Sequence, residues 1–120
     1  MKTAYKNDMP ILKLKVKGPK GQTEYEAYLD TGAGRTLIPE KDAKECSLTY
    51  AGDTTVITGS GKDTIRLYRA QVEFLGKEFN ILVFGRDLPK EAQVKAMVGR
   101  DILDAYRACF DGKRKEIEIT

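Results

Sequence analysis

From Ile11 onward the chain is built of short runs in which apolar and polar residues alternate, and turn residues close nearly every run. That pattern constrains the fold more than any other feature. Ile11-Leu12-Lys13-Leu14-Lys15-Val16-Lys17 alternates apolar residues with lysine, the period of a half-buried strand. Gly18-Pro19-Lys20-Gly21 is a turn, and Tyr25, Ala27 and Leu29 alternate with Glu24, Glu26 and Tyr28, so a hairpin is expected. Thr36-Leu37-Ile38 resumes an apolar strand as far as Pro39, and Glu40 to Cys46 suits one or two helical turns. Thr54 to Ile57 and Thr64 to Tyr68 flank a Thr58-Gly59-Ser60-Gly61-Lys62 tip, a second hairpin. Ala70 to Leu75, a Gly76-Lys77 turn and Phe79 to Phe84 make a third. Ile102 to Cys109 reads as the one late helix, with Ile102, Leu103 and Tyr106 as its stripe. Cys109-Phe110, Asp111-Gly112 and Ile117 to Ile119 close the chain as a hairpin. The expected fold class is all-β, and 120 residues suit one domain spanning 1–120.

Pro89 to Met97 conflicts with that pattern. Its residues are good helix formers behind a proline at a plausible first position. The expectation is at most a turn near Pro89 to Ala92, then a short buried strand from Val94 to Val98.

The absence of histidine removes His-based triads and His-liganded metal sites, and two cysteines cannot form a four-cysteine zinc site. No metal or cofactor is expected. A net charge of +3 with acids interspersed does not point to nucleic acid. The longest apolar stretch, Phe79 to Phe84, contains Asn80 and is far short of the ~20 residues a bilayer needs. The first residues are polar, without an export signal, so the expected compartment is the cytoplasm. Cys46 and Cys109 then read as reduced thiols and small core residues, with a disulfide left open. Lys13, Lys15 and Lys17 are expected to guard a sheet edge rather than to bind nucleic acid.

The chemistry centres on Leu29-Asp30-Thr31-Gly32-Ala33. Asp-Ser/Thr-Gly alone arises by chance in about one chain in twenty of this length. Here an apolar strand enters it, a small residue follows the glycine, and Thr36-Leu37-Ile38 leaves it. Near the other end, Ala96-Met97-Val98-Gly99-Arg100-Asp101-Ile102-Leu103 places Gly-Arg-Asp between apolar residues and a helix. Gly85-Arg86-Asp87 repeats the tripeptide but leads to Pro89. The glycine-rich tip cannot be a phosphate loop, because the first glycine of that motif would fall on Val56 and Asp63 replaces the Ser or Thr that holds magnesium.

On these motifs, from roughly Leu12 to Ile119, the sequence resembles the single-domain retroviral and cellular retropepsins, which are aspartic proteases. The resemblance implies a closed β-barrel with a flap hairpin and one short C-terminal helix. It implies a homodimeric endopeptidase acting on peptide or protein substrates, with no nucleic-acid or membrane partner. Amide hydrolysis without metal or nucleophile needs a water deprotonated as it attacks and an acid for the departing groups. Two carboxylates about 3 Å apart supply both by sharing one proton. The chain has one Asp-Thr-Gly, so a monomer holds half a site. By resemblance Asp30, Thr31 and Gly32 form the catalytic turn, with Thr31 bonding to the partner's loop. Ala33 and Gly34 line the cleft floor, and Thr58, Gly59, Ser60 and Gly61 form the flap tip over the substrate. Gly99, Arg100 and Asp101 buttress the loop. In the family that arginine pairs with a carboxylate beside the catalytic turn; Gly34 stands there, so Arg100 needs another partner. Two other readings remain open: a weakly active dimeric peptide-binding module of the same fold, and a basic β-barrel that binds nucleic acid.

Overall fold

The computed structural model describes residues 1–120. In chain order the elements are β1 (Lys2–Ala4), β2 (Ile11–Gly18), β3 (Gly21–Leu29), β4 (Leu37–Ile38), α1 (Glu40–Glu45), β5 (Thr49–Thr58) and β6 (Gly61–Phe74). They continue with β7 (Lys77–Gly85), β8 (Met97–Val98), α2 (Arg100–Leu103), β9 (Ala108–Asp111) and β10 (Glu116–Ile119). Seven strands lie in the order β2-β3-β8-β4-β7-β6-β5, and β2 also pairs with β6, so six of them close into a barrel. β5 stays outside the closure as the outer arm of the long hairpin. The alternation of the sequence packs the barrel: Leu14, Val16, Ala27, Leu29, Val72, Phe74 and Val83 are buried in one core with Ile38, Val98, Ile102, Ile117 and Ile119. The all-β reading holds.

β4 and β8 are two residues long and antiparallel to each other, and they run parallel to β7 and β3 respectively. They sit side by side in the barrel wall, directly after the Asp30 loop and directly before Gly99. Pro89 to Ala92 makes the expected turn, closed by the Ala92 N–H donating to the Pro89 carbonyl (3.0 Å). The strand behind it covers Met97–Val98 rather than Val94 to Val98. Pairing partners, not side-chain preference, set its length.

Other boundaries also differ from expectation. β6 is one continuous 14-residue strand that serves two hairpins, pairing β5 with its first part and β7 along most of its length. α2 ends at Leu103 instead of Cys109. A helix this short depends on packing. Here Ile102 and Leu103 are already buried, and Arg107 leaves the helical path to exchange two backbone hydrogen bonds with Thr120 (2.9 and 3.0 Å). The Tyr106 ring instead meets Phe74 edge-on at 5.8 Å. β1 has no signal in the sequence, since Lys-Thr-Ala carries no alternation. Its backbone pairs with β10, which pairs with β9 in a small second sheet.

Lys13, Lys15 and Lys17 do not guard an edge, because β2 is paired with β3 and, at Lys15 to Lys17, with β6. Lys13 lies 3.8 Å from Glu24, and Lys17 lies 3.5 Å from Glu73 and 2.8 Å from Glu78. Lys13 and Lys17 complement glutamates across the strands, and such solvent-screened pairs contribute little to stability. Cys46 is buried and Cys109 exposed, both as free thiols, so only Cys46 is a core residue. No helix is long and apolar enough to cross a membrane.

The long hairpin is clipped to the barrel where it emerges. Arg66 and Tyr68 donate to the Glu40 carboxylate (3.1 and 2.8 Å), and Arg86 meets Asp63 at 2.5 Å and the Thr64 carbonyl at 2.9 Å. Burial opposes the charged form of Glu40, yet the bonds from Tyr68 and Arg66 outweigh it and hold the carboxyl below its ordinary value. A carboxyl depressed in the fold stabilises it above the unfolded-state value. That contribution is lost as pH falls through the folded-state value. Tyr68 moves oppositely, pushed up to about 12 by burial first and then by its bond to Glu40. Its share is present below the ordinary tyrosine range and lost as pH rises through that value. Glu40→Gln is expected to cost about 1–2 kcal/mol at neutral pH and less at an acid pH below the depressed folded-state value, where the wild-type carboxyl has gained its proton too. Thermal melts at both pH values check this; equal destabilisation at both would contradict the role.

Candidate active site

β3 delivers Asp30 from the barrel wall. The Leu29 N–H donates to the Pro10 carbonyl (3.0 Å) and the Asp30 N–H to the Val98 carbonyl (2.9 Å), so the residue leaves the strand with its backbone fixed. The chain then turns back on itself, the Ala33 N–H donating to the Asp30 carbonyl (3.2 Å). Inside that turn Asp30 Oδ1 accepts the Gly32 N–H at 2.9 Å, an Asx-type arrangement, while no hydrogen bond occupies Oδ2. The carboxylate is half-buried, whereas Thr31, Gly32 and Gly34 are exposed. The loop therefore presents one aimed carboxylate on an open surface.

The Gly-Arg-Asp segment locks the far side of this loop. Arg100 donates through Nη1 to the Thr31 carbonyl at 2.7 Å, and its N–H donates to the Ala33 carbonyl at 2.8 Å. The partner Arg100 needs is thus a backbone oxygen of the turn itself, beside Gly34. Asp101 turns the other way: its oxygens accept the Thr36 N–H (2.9 Å) and the Thr36 hydroxyl (2.8 Å). The same hydroxyl accepts the Gly99 N–H (3.2 Å). Thr36 is fully buried with its polar atoms satisfied, as a buried hydroxyl must be. Gly99 is required by close approach, since a Cβ there would lie 2.7 Å from the Arg35 carbonyl carbon and 2.9 Å from the Ala33 oxygen.

Asp30, Thr31, Gly32, Ala33, Arg100 and, through Thr36, Gly99 and Asp101 therefore form one hydrogen-bonded cluster, while Gly34 makes no hydrogen bond and lies against the Arg100 guanidinium. Thr58, Gly59, Ser60 and Gly61 do not join it: they stand exposed at the tip of the β5–β6 hairpin, with no hydrogen bond to the Asp30 loop. The tip is closed internally, the Thr58 hydroxyl donating to the Gly61 carbonyl (3.1 Å) and accepting the Ser60 N–H (3.2 Å). Gly61 has φ +112, a conformation that favours glycine, and neither Gly59 nor Gly61 has an atom near its would-be Cβ. The turn proper is Gly59-Ser60, with Thr58 and Gly61 ending the strands. The second Gly-Arg-Asp lies elsewhere, at the hairpin base, where Arg86 holds Asp63 and Asp87 accepts the Lys41 N–H (3.2 Å).

Sequence reasoning missed Thr36 and read it only as the start of a strand. Its role comes from Asp101, 65 positions away, which leaves no local signal.

The comparisons agree with this architecture. A family model described as gag-polyprotein putative aspartyl protease matches residues 16–103, from β2 through α2. No curated protein sequence matches the chain. Among solved structures it is similar to the EIAV protease complexed with the inhibitor HBY-793, at TM-score 0.63 and 17% identity over 86% of this chain and 92% of that one. A retropepsin-like aspartic protease from Rickettsia conorii superposes at TM-score 0.58 and 18% identity, over 98% of this chain and 86% of that one. The retroviral protease-like domain of Ddi1 from Leishmania major gives TM-score 0.57 at 17% identity, over 95% and 90%. With a strand pair delivering an Asp-Thr-Gly turn, a Gly-Arg-Asp helix bracing it and the family match spanning both, the chain belongs to the retropepsin-like, gag-polyprotein type of aspartyl protease.

Proposed function

We propose that the protein is an aspartic endopeptidase, a single 1–120 domain active as a homodimer. The observation that carries this reading is the Asp30 carboxylate, held at Oδ1 by the Gly32 N–H and open at Oδ2, in an otherwise exposed loop. One such carboxylate per chain is half of an acid–base pair, and a two-fold axis through the loop supplies the other half. Thr31, exposed in the single chain, is placed to bond to the partner's loop. The β5–β6 hairpin is the flap, and its Thr58 to Gly61 tip covers an extended peptide whose backbone lies over Ala33 and Gly34. Gly61 lets the tip bend at little local cost.

Hydrolysis then follows from the shared proton. The ionised Asp30 takes a proton from a water as its oxygen bonds to the peptide carbonyl carbon. The protonated Asp30 gives its proton to the carbonyl oxygen, leaving a neutral tetrahedral diol. Collapse of the diol breaks the C–N bond, with a proton passing to the amine and the pair again holding one proton. Arg100 keeps the turn in place through the Thr31 carbonyl and takes no part in proton transfer. The two free thiols are compatible with a reducing cytoplasm, the compartment we assign.

The test is a peptide library with products identified by mass spectrometry, across pH and with a statine-type transition-state analogue. The expected result is endoproteolytic products, a bell-shaped rate profile on the acid side of neutrality, and full block by the analogue. Peptide binding without cleavage at any pH would reduce the protein to a binding module.

A further inference from the structure

The second Gly-Arg-Asp, Gly85-Arg86-Asp87, has no part in the catalytic reading, yet it repeats the contacts of the first residue by residue. Gly99 has no room for a Cβ because the Arg35 backbone lies against it. Gly85 has none because a Cβ there would stand 2.6 Å from the ring of buried Tyr68. Asp101 accepts the backbone N–H of Thr36 (2.9 Å), and Asp87 accepts that of Lys41 (3.2 Å). The Arg100 N–H donates to the Ala33 carbonyl (2.8 Å), and the Arg86 N–H to the Ile38 carbonyl (3.0 Å). Each guanidinium then reaches a distant backbone oxygen, Arg100 that of Thr31 (2.7 Å) and Arg86 that of Thr64 (2.9 Å). Arg86 adds an ion pair with Asp63. Asp63 and Thr64 lie in the part of the hairpin that the barrel does not hold. β6 pairs with β7 only from Arg66 onward, so Gly61 to Ile65 have β5 as their sole strand partner. Such a two-stranded ribbon is marginal by itself. Beyond the Arg86 contact only Ile57 to Lys62 extend.

We propose that Gly85-Arg86-Asp87 is a second brace, with Arg86 as a positioning residue that fixes the arm of the flap and confines bending to its Ile57 to Lys62 end. The inference rests on the protease reading for the hairpin's part as a flap. The bonds to Ile38 and Lys41 anchor the segment on β4 and α1, so the arginine reaches out from a fixed base. Its planar fork donates to a carboxylate and a carbonyl at once, which a lysine could not do in the same geometry. A peptide that enters under a braced arm has only the tip to order. Under a loose arm it must order the arm as well, and that cost falls on binding rather than on the chemistry at Asp30.

The experiment compares Arg86→Gln with wild type by amide hydrogen exchange and by cleavage kinetics. Amides from Thr54 to Ile65 should exchange about threefold faster in the variant, the scale of one exposed ion pair, while those of β2 and β3 keep their rates. KM should rise about threefold, with kcat within about twofold of wild type. The swapped pair Asp63→Arg, Arg86→Asp should exchange more slowly in the hairpin than Asp63→Arg alone, which sets two cations side by side. Unchanged hairpin exchange in Arg86→Gln overturns the proposal and leaves proteolysis standing. Acceleration shared equally by β2 and β3 also overturns it, as a general loss of stability. A swapped pair no slower than the single variant, or a loosened hairpin with wild-type KM, does the same. Faster hairpin exchange in Arg86→Gln with no cleavage by wild type supports the brace and defeats proteolysis.

Discussion

Asp30→Asn is expected to lower peptide cleavage by at least about a hundredfold, the scale of a lost general acid–base group. Its melting temperature should stay within a few degrees of wild type. The substitution keeps an oxygen that can accept the Gly32 N–H, as Oδ1 does now at 2.9 Å, and leaves the backbone bond to Val98 untouched. What it removes is the ionisable oxygen pair. An amide cannot take a proton from water or return one to a diol. Cleavage within about tenfold of wild type would place the chemistry on another residue.

Gly99→Ala should be the most damaging small substitution in the bracing segment. The added methyl would stand 2.7 Å from the Arg35 carbonyl carbon and 2.9 Å from two carbonyl oxygens, those of Ala33 and Arg35. All three are backbone atoms, so no rotamer change relieves the contact. The loop must move, and with it the Gly99 bond to Thr36 and the Arg100 bond to Ala33. Overpacking of this kind costs about 1–3 kcal/mol, and rigid neighbours put it at the upper end. Calorimetry should show melting lowered by roughly 10 °C. Gly59→Ala, with nothing near its Cβ, should fall within about 0.5 kcal/mol of wild type. Equal melting of the two variants would contradict the account of the brace.

The contrast between those glycines shows what a sequence carries and what it does not. Asp30-Thr31-Gly32 was legible because its chemistry, entering strand and turn are adjacent residues. The barrel was legible because Leu14, Val16, Ala27 and Leu29 alternate with charge, and burial follows that alternation directly. Gly59 and Gly61 look alike in sequence, yet only Gly61 adopts a positive φ. The partner of Arg100 could not be read, because a backbone carbonyl has no residue type to recognise. Thr36 and Asp101 meet only through the barrel's closure. α2 lost its second turn to a backbone pairing of Arg107 with Thr120, which propensity does not encode. β6 ran through two expected strands because pairing on both flanks kept it extended. Cys109 lay outside the core because β9 turns its odd residues to solvent. In each case a contact distant in sequence outweighed a local preference.

The central claim is that one active site needs an Asp30 from each of two chains. Subunit mixing tests it most directly. Wild type and Asp30→Asn, equilibrated at equal amounts and fixed total concentration, should retain about a quarter of the wild-type activity, because only one dimer in about four holds two aspartates. Across mixing ratios, activity should follow the square of the wild-type fraction. Activity of about one half at equal mixing, linear in that fraction, would mean that each chain carries a complete site, and would contradict the account.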